Sequence, residues 1–177
     1  MAYVPQTAQL GIPPIASTLP LSLAAGKSVP AKLGDIIKAV DPVYGVGEFI
    51  YLLGVAATVV GSLVTWGGNA SGTPTYQTAL ASAGGNKAQS LAVAMSANVA
   101  NQYGWYQISG NAVVATNGTL AAGPAAVYVS ATAGQVTSTQ AAGAQIENAV
   151  NVTATGTPAA NQAVVQIDRP FAQGQIV

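Results

Sequence analysis

The sequence predicts an all-β protein: a compact β-barrel or jelly-roll-like sandwich over residues 31–177, preceded by an extended, proline-rich N-terminal arm over residues 1–30. Three observations carry that expectation. The longest apolar run, Phe49–Trp66, is rich in β-branched residues. Short apolar segments recur at spacings near ten residues, separated by Gly, Pro or Asn, which is the pattern of sandwiches and barrels. Five of the ten prolines (Pro5, Pro13, Pro14, Pro20 and Pro30) fall in the first thirty residues.

Proline fixes φ and removes a backbone donor, so the arm builds neither a long helix nor a central strand. It nevertheless carries Leu10, Ile12, Ile15, Leu19, Leu21 and Leu23, unlike a disordered tail. These six are the candidate interface residues. An arm lying on its own barrel, on a sister subunit or on a larger surface would bury them. Docking on a neighbour is favoured, with the arm ordered only in the assembly.

After Lys32, residues 34–40 read as a strand and residues 41–47 as a glycine-rich loop. The run Phe49–Trp66 is eighteen residues without a charge, the length of a membrane span. Its residue types argue for paired core strands instead. Val55, Thr58, Val59, Val60, Val64 and Thr65 are β-branched, and Gly54 and Gly61 divide the run into strand-sized pieces. No Lys or Arg lies between Lys38 and Lys87 to anchor a span. Strands are therefore expected at residues 48–53 and 62–66.

Residues 67–74 form a surface loop, residues 75–83 a strand or a single helical turn, and residues 84–86 a turn. Leu91, Val93 and Met95 recur at period two, which places them on one face of a strand. The next strand is Trp105–Ile108, followed by a turn at Gly110-Asn111 and a strand at residues 111–115. Asn117-Gly118 is the strongest hairpin signal in the chain. Strands at residues 126–131, 135–139, 150–155 and 162–168 complete the series. The Ala-rich pieces 80–83 and 141–150 are where a short helix fits best.

Composition narrows the function. There is no Cys and no His, which removes disulfides, thiolate and imidazole metal sites and any Ser-His-Asp arrangement. Five cationic and five anionic side chains make up 6% of the chain, against about 25% in ordinary soluble domains. A 17.5 kDa monomer exposes on the order of 7,900 Å². That is one charge per roughly 800 Å², about one partner's share of a standard interface. Such a surface favours association and lacks the clustered cations that nucleic acid requires. No basic region followed by an apolar stretch opens the chain, so a secretory signal is not expected.

Reactive constellations are scarce. Asp35, Asp41 and Glu48 lie within fourteen residues, but their spacing matches no calcium loop, and turn capping is their ordinary role. Asp168-Arg169 reads as a local ion pair closing the last strand before Pro170. Gly45-Val-Gly47 and Gly67-Gly68 lack the Lys-Ser/Thr of a phosphate loop. Three Asn-x-Ser/Thr sequons (Asn69, Asn117, Asn151) are expected by chance in so Asn- and Thr-rich a chain. Tyr103, Trp105 and Tyr106 form an aromatic cluster suited to core packing or a subunit contact, with stacking on sugars or bases as the alternative. No catalytic residue, metal or cofactor is expected.

Residues 34–66 and 90–115, with the strings Gly-Asp-Ile-Ile-Lys-Ala-Val-Asp-Pro-Val-Tyr-Gly-Val-Gly-Glu-Phe-Ile-Tyr-Leu-Leu-Gly-Val-Ala (34–56) and Ala-Val-Ala-Met-Ser-Ala-Asn-Val-Ala-Asn-Gln-Tyr-Gly-Trp-Tyr-Gln-Ile-Ser-Gly (92–110), resemble the capsid decoration, or cement, proteins of tailed bacteriophages. The ending Val164-Val-Gln-Ile-Asp-Arg-Pro-Phe171 is similar to theirs as well. With gaps, the resemblance spans Gly34 to Phe171 and leaves the arm uncovered. It implies a compact β domain without enzymatic activity, made in the host cytoplasm and bound to the capsid exterior of the virion. The implied partners are the major capsid protein and further copies of the chain, a trimer being favoured over a dimer; neither nucleic acid nor membrane is implied. A fibre or adhesin module is the alternative, with Trp105 and its tyrosines turned out to a ligand.

Overall fold

In a computed structural model of the chain, residues 1–7, 12–20, 31–67, 76–84, 88–100 and 102–174 are described, and none of them is helical. Among these residues twelve strands form one sheet, and the strand pairs within it are antiparallel. The apolar run at Phe49–Trp66 becomes two of them, β4 (Gly45–Leu53) and β5 (Leu63–Trp66), joined by turns at residues 54–62. No helix among the described residues is long and apolar enough to cross a membrane. The run lacks alternation because both faces of β4 are covered: Phe49 and Tyr51 enter one apolar cluster, Ile50 and Leu52 another.

The chain starts at the sheet edge with β1 (Val4–Pro5), which pairs with β3 (Ile36–Asp41). β3 turns into β4 through three residues, and the Asp41 carboxylate accepts hydrogen bonds from the Val43 and Tyr44 N–H groups at 2.8 and 3.1 Å. Residues 45–47 thus belong to a strand, and the expected seven-residue loop shrinks to a tight hairpin turn. β2 (Thr18–Pro20), β6 (Ala79–Leu80) and β7 (Ser90–Ala94) follow the same antiparallel rule.

The strand that joins everything is β8 (Gln102–Ala115), fourteen residues long. One edge of its first half pairs with β4; the other meets β2, β7 and then β12 (Gln162–Ala172) in succession. The sheet curls into two adjoining barrels around it. The first runs β4–β8–β7–β5–β6 and closes where Gln77 bridges Leu53. The second runs β8–β12–β11–β9–β10, with β9 at Ala125–Val129, β10 at Val136–Thr137 and β11 at Gln145–Asn151. It closes where Thr116 bridges Val136. Ile50, Leu52, Val64, Ala92, Tyr106 and Ile108 fill the first barrel. Val114, Val127, Val129, Ile146, Val165 and Ile167 fill the second, with Leu91 and Val93 from the shared wall. Leu91 and Val93 share a face as their spacing predicts. Met95, one residue past the strand end, joins a third cluster outside the first barrel.

Several expectations are corrected. Gly110-Asn111 is no turn: β8 runs straight through it, with Gly110 at φ +97°. Across this point β4 skips Ile108, pairing Glu48 with Ser109 and Phe49 with Gln107, so the glycine bends a continuous strand. A Cβ at Gly110 would run into the Val46 carbonyl oxygen. Asn117-Gly118 joins no hairpin, since β8 and β9 are not partners, and β9 pairs with β10 and β11. The Ala-rich segment 141–150 is largely β11, because its backbone completes the ladder between β9 and β12. β12 continues through Pro170 to Ala172. Pro170 is accommodated at an irregularity where Arg169 adopts φ +47° and the β11 register shifts between Glu147 and Ala149.

Candidate functional site

The arm's described parts lie against their own domain. Tyr3 and Ile15 are buried in the cluster that contains Phe49, Tyr51, Met95 and Trp105, with Ile12 packed beside it. Ile15 is therefore enclosed by its own chain here, not offered to a neighbour. Leu10, Leu21, Leu23 and the Leu19 side chain lie outside the described residues; the Leu19 backbone pairs with Tyr103. Pro13 is fixed by the indole N–H of Trp105, which donates to its carbonyl at 3.0 Å. The Ser96 hydroxyl donates to the Ser17 carbonyl at 3.2 Å. The division at residue 30 is thus one of sequence character, since the arm supplies edge strand β1 and the cover over Trp105.

The aromatic trio splits between the two faces of β8. Trp105, with no exposed surface, packs against Tyr51 at a ring-centroid distance of 4.9 Å; half-buried Tyr103 stacks on Tyr51 at 6.1 Å. Tyr106 points the other way, into the first barrel. Burial pushes its phenol pKa up, against the lowering influence of Thr78 and Asn98. Tyr3 and Tyr51 are pushed to about 12, in each case mainly by burial. Beneath the β8 bend, Gln107 is fully buried, and its amide donates to the carbonyls of Ser109 and Asn111 at 3.1 and 3.2 Å. The Tyr3 hydroxyl donates to the same Asn111 carbonyl at 3.0 Å. These two side chains add hydrogen bonds to the carbonyls of the bent strand.

The three early carboxylates do not converge. Asp35 accepts from the Lys32 N–H at 2.7 Å in a local turn. Asp41 is buried and accepts from three backbone N–H groups, those of Ala2, Val43 and Tyr44. Burial alone would raise its pKa, but the three donors together bring it below the ordinary carboxylate value. Glu48 lies between two cations, Lys38 at 3.3 Å and Arg169 at 2.8 Å. Arg169 thus reaches across the sheet instead of pairing with Asp168 next to it. Among the described residues, no three Asp, Glu, His or Cys side chains gather as a metal site. Asn117 donates to the hydroxyls of Ser130 and Thr132, and buried Asn151 donates to the Ala121 carbonyl, so both sequon side chains have structural work; Asn69 lies outside the described residues.

Three clefts are lined by described residues. One of about 300 Å³ lies between Thr65, Leu80, Gln89 and Gly143; one of about 250 Å³ lies between Tyr3, Ile15, Val60 and Met95. Neither is lined by a charged side chain. The third, about 540 Å³, is an open groove along β11 and β12 that includes Glu147 and Asp168.

That groove belongs to a wider surface. Strands β1, β3, β4, β8, β12 and β11 lie in that order, and over the two rows that pass through Lys38 and Val40 one face turns outward. One row across it reads Lys38, Glu48, Ser109, Asp168 in direct register. The next begins Val4, Val40, Val46 and continues Asn111, Gln166, Val150. The Asn111 amide ties the two halves by donating to the Tyr44 carbonyl at 3.3 Å. Sequence reasoning missed this face because Val43-Tyr-Gly-Val46 reads as loop. The signal was present in the alternation Ile36, Lys38, Val40, whose polar member stands opposite Glu48. The chain matches no family model, no curated protein and no solved structure.

Proposed function

We propose that this chain is a structural virion subunit: a capsid decoration protein that binds the outside of an icosahedral phage head and stabilises contacts between major capsid proteins. The observation that carries the reading is where the segments resembling that family fall. Residues 34–56 and 92–110 are β3, β4, the end of β7 and most of β8, the frame from which the outward face and the first barrel are built. The resemblance thus rests on architecture and surface, the two things a cement subunit needs. The polar groups that chemistry would use have structural partners instead: Asp41 holds a hairpin, Gln107 a strand bend, and Glu48 two cations.

The mechanism follows from mass action. A subunit that binds only the finished shell stabilises it against every disassembled state by its binding free energy. With charges so sparse, contact involves little desolvation of ions. The adhesin alternative asked for an exposed Trp105; with Trp105 buried, no observation favours it.

Co-sedimentation with empty phage heads tests the reading. The purified protein should pellet with mature shells at a saturable stoichiometry of many copies per head, and raise the temperature at which they break. Failure to bind heads from the phage whose genome encodes it, together with absence from its virions, would refute the assignment.

A further inference from the structure

Asn117-Gly118 is the one Asn-Gly pair in the chain, and its turn chemistry makes no hairpin here. An asparagine that precedes glycine also has a covalent reaction open to it. Without a Cβ on the glycine, the following amide nitrogen can approach the asparagine side chain closely. Gly118 adopts φ +80°, and no atom lies within 4 Å of where its Cβ would stand. Asn117 itself is exposed, so water and base reach it.

The groups on either side of the pair are nevertheless held. The Asn117 N–H donates to the Val136 carbonyl at 2.8 Å, beside the Thr116 bridge that closes the second barrel. The Gly118 carbonyl accepts from the Thr155 hydroxyl at 3.2 Å. The Asn117 side-chain amide donates to the hydroxyls of Ser130 and Thr132 at 2.9 and 3.1 Å, both in the connection between β9 and β10. Ring closure requires that side chain to leave both hydroxyls and swing over its own peptide toward Gly118.

We propose that Asn117 is a gated deamidation site, closed while the second barrel is shut and released when the Ser130–Thr132 connection moves away. In the reaction the Gly118 nitrogen gives its proton to base and bonds to Asn117 Cγ. The Cγ–Nδ2 bond breaks, and the amide nitrogen takes up a proton and leaves as ammonia. Water then adds to either carbonyl of the resulting succinimide and opens it to aspartate or isoaspartate. Water is the only co-reactant, and no electrons are exchanged.

The two products differ in what they do to the fold. Aspartate keeps the backbone length, and the Ser130 hydroxyl can turn to donate to the new carboxylate. Isoaspartate routes the main chain through the former side chain, one methylene longer, so the bonds to Val136 and Thr155 no longer fit together. An opening of the second barrel thus leaves a covalent mark that refolding does not erase. The formal net charge, zero in the unmodified chain, becomes negative, so ion exchange separates the products.

The test incubates the full chain at mildly alkaline pH, folded below its melting temperature and in parallel in denaturant, with peptide mapping by mass spectrometry. In denaturant Asn117 should deamidate before every other asparagine. The folded rate should be at least about tenfold slower, the protection expected when reaction waits on an opening that breaks two hydrogen bonds. Thr132→Val alters an exposed side chain and Ser130→Ala a small buried one, and thermal melts check that both fold. Each should raise the folded rate about fivefold, the equivalent of one ordinary hydrogen bond, and leave the denatured rate unchanged. Isoaspartate chains should melt below wild type after refolding, while Asn117→Asp should melt close to it. Equal folded and denatured rates, another asparagine reacting first in denaturant, a folded rate that neither variant changes, or isoaspartate chains that melt like wild type would overturn the proposal.

Discussion

Replacing Trp105 by Ala is the sharpest probe of how the arm and the first barrel hold together. The indole has no exposed surface, stacks at a tilt against Tyr51, and donates its N–H to Pro13. Two losses combine. Emptying an aromatic core position costs about 3–5 kcal/mol, and the Pro13 carbonyl loses its donor, which costs on the order of 1 kcal/mol more where water cannot replace it. For a chain of this length, the combined loss of about 4–6 kcal/mol lowers the melting temperature by roughly 8–24 °C. Trp105→Phe separates the terms, since it retains most of the packing and loses the hydrogen bond, for about 1–2 kcal/mol. Chemical denaturation followed by far-ultraviolet circular dichroism reads both variants. Limited proteolysis of Trp105→Phe should also show earlier cleavage within residues 12–18 than in the wild type. A Trp105→Ala protein that melts within about 2 °C of wild type, no more than about 1 kcal/mol on the same scale, would refute this account of the core.

Gly104→Ala should destabilise by about 1–3 kcal/mol, because the added methyl would occupy the space of the buried Asn98 side chain, and denaturant midpoints check it. Asp41 has a folded-state pKa below its unfolded value, so its contribution is present above the ordinary carboxylate pKa and is lost as pH falls through the lowered one; Asp41→Asn should flatten the acid limb of a melting-temperature–pH profile. Tyr3 and Tyr51 have raised values, so their contribution is complete below about pH 10 and is lost as pH rises toward 12. Absorbance titration at 295 nm should therefore show at least two tyrosines that ionise late, or together with alkaline unfolding, and normal titration of all seven would contradict their burial.

What was readable in the sequence was whatever local chemistry and tertiary pairing both support. Val55, Val59 and Val64, with Gly54 and Gly61, marked two buried strands and their connection, and the strands fall within three residues of the expected bounds. Leu91 and Val93 alternate with Ala92 and Ala94 because β7 is a wall between two barrels, and both faces need apolar residues of different size. The failures occur where pairing overrides local preference. Gly110-Asn111 has turn chemistry, yet β12 pairs continuously from Ser109 to Ala115, and that ladder holds the strand together. Asn117-Gly118 could have turned a hairpin, but the Thr116 bridge to Val136 closes the second barrel instead. Arg169 looked local because Glu48 is 121 residues away in sequence, and only the β4–β8–β12 arrangement brings them together. The valines of the outward face were invisible for the same reason: their row exists only across strands.

The position of β8 has a consequence for the time course of folding. Its partners come from Thr18 far before it and from Gln162–Asp168 well after it, and both barrels include it as a stave. Neither barrel can close before β8 is made, because the first needs β8 itself and the second waits for β12, which follows it in the chain. Folding should therefore be a slow event dominated by non-local contacts, on the millisecond-to-second scale of all-β proteins. The reverse journey is governed by the same strand. Neither barrel can open without breaking a ladder to β8, so unfolding should occur in a single late step with a high barrier. A part assembled once and then required to persist gains lifetime from that arrangement, beyond whatever equilibrium stability it has.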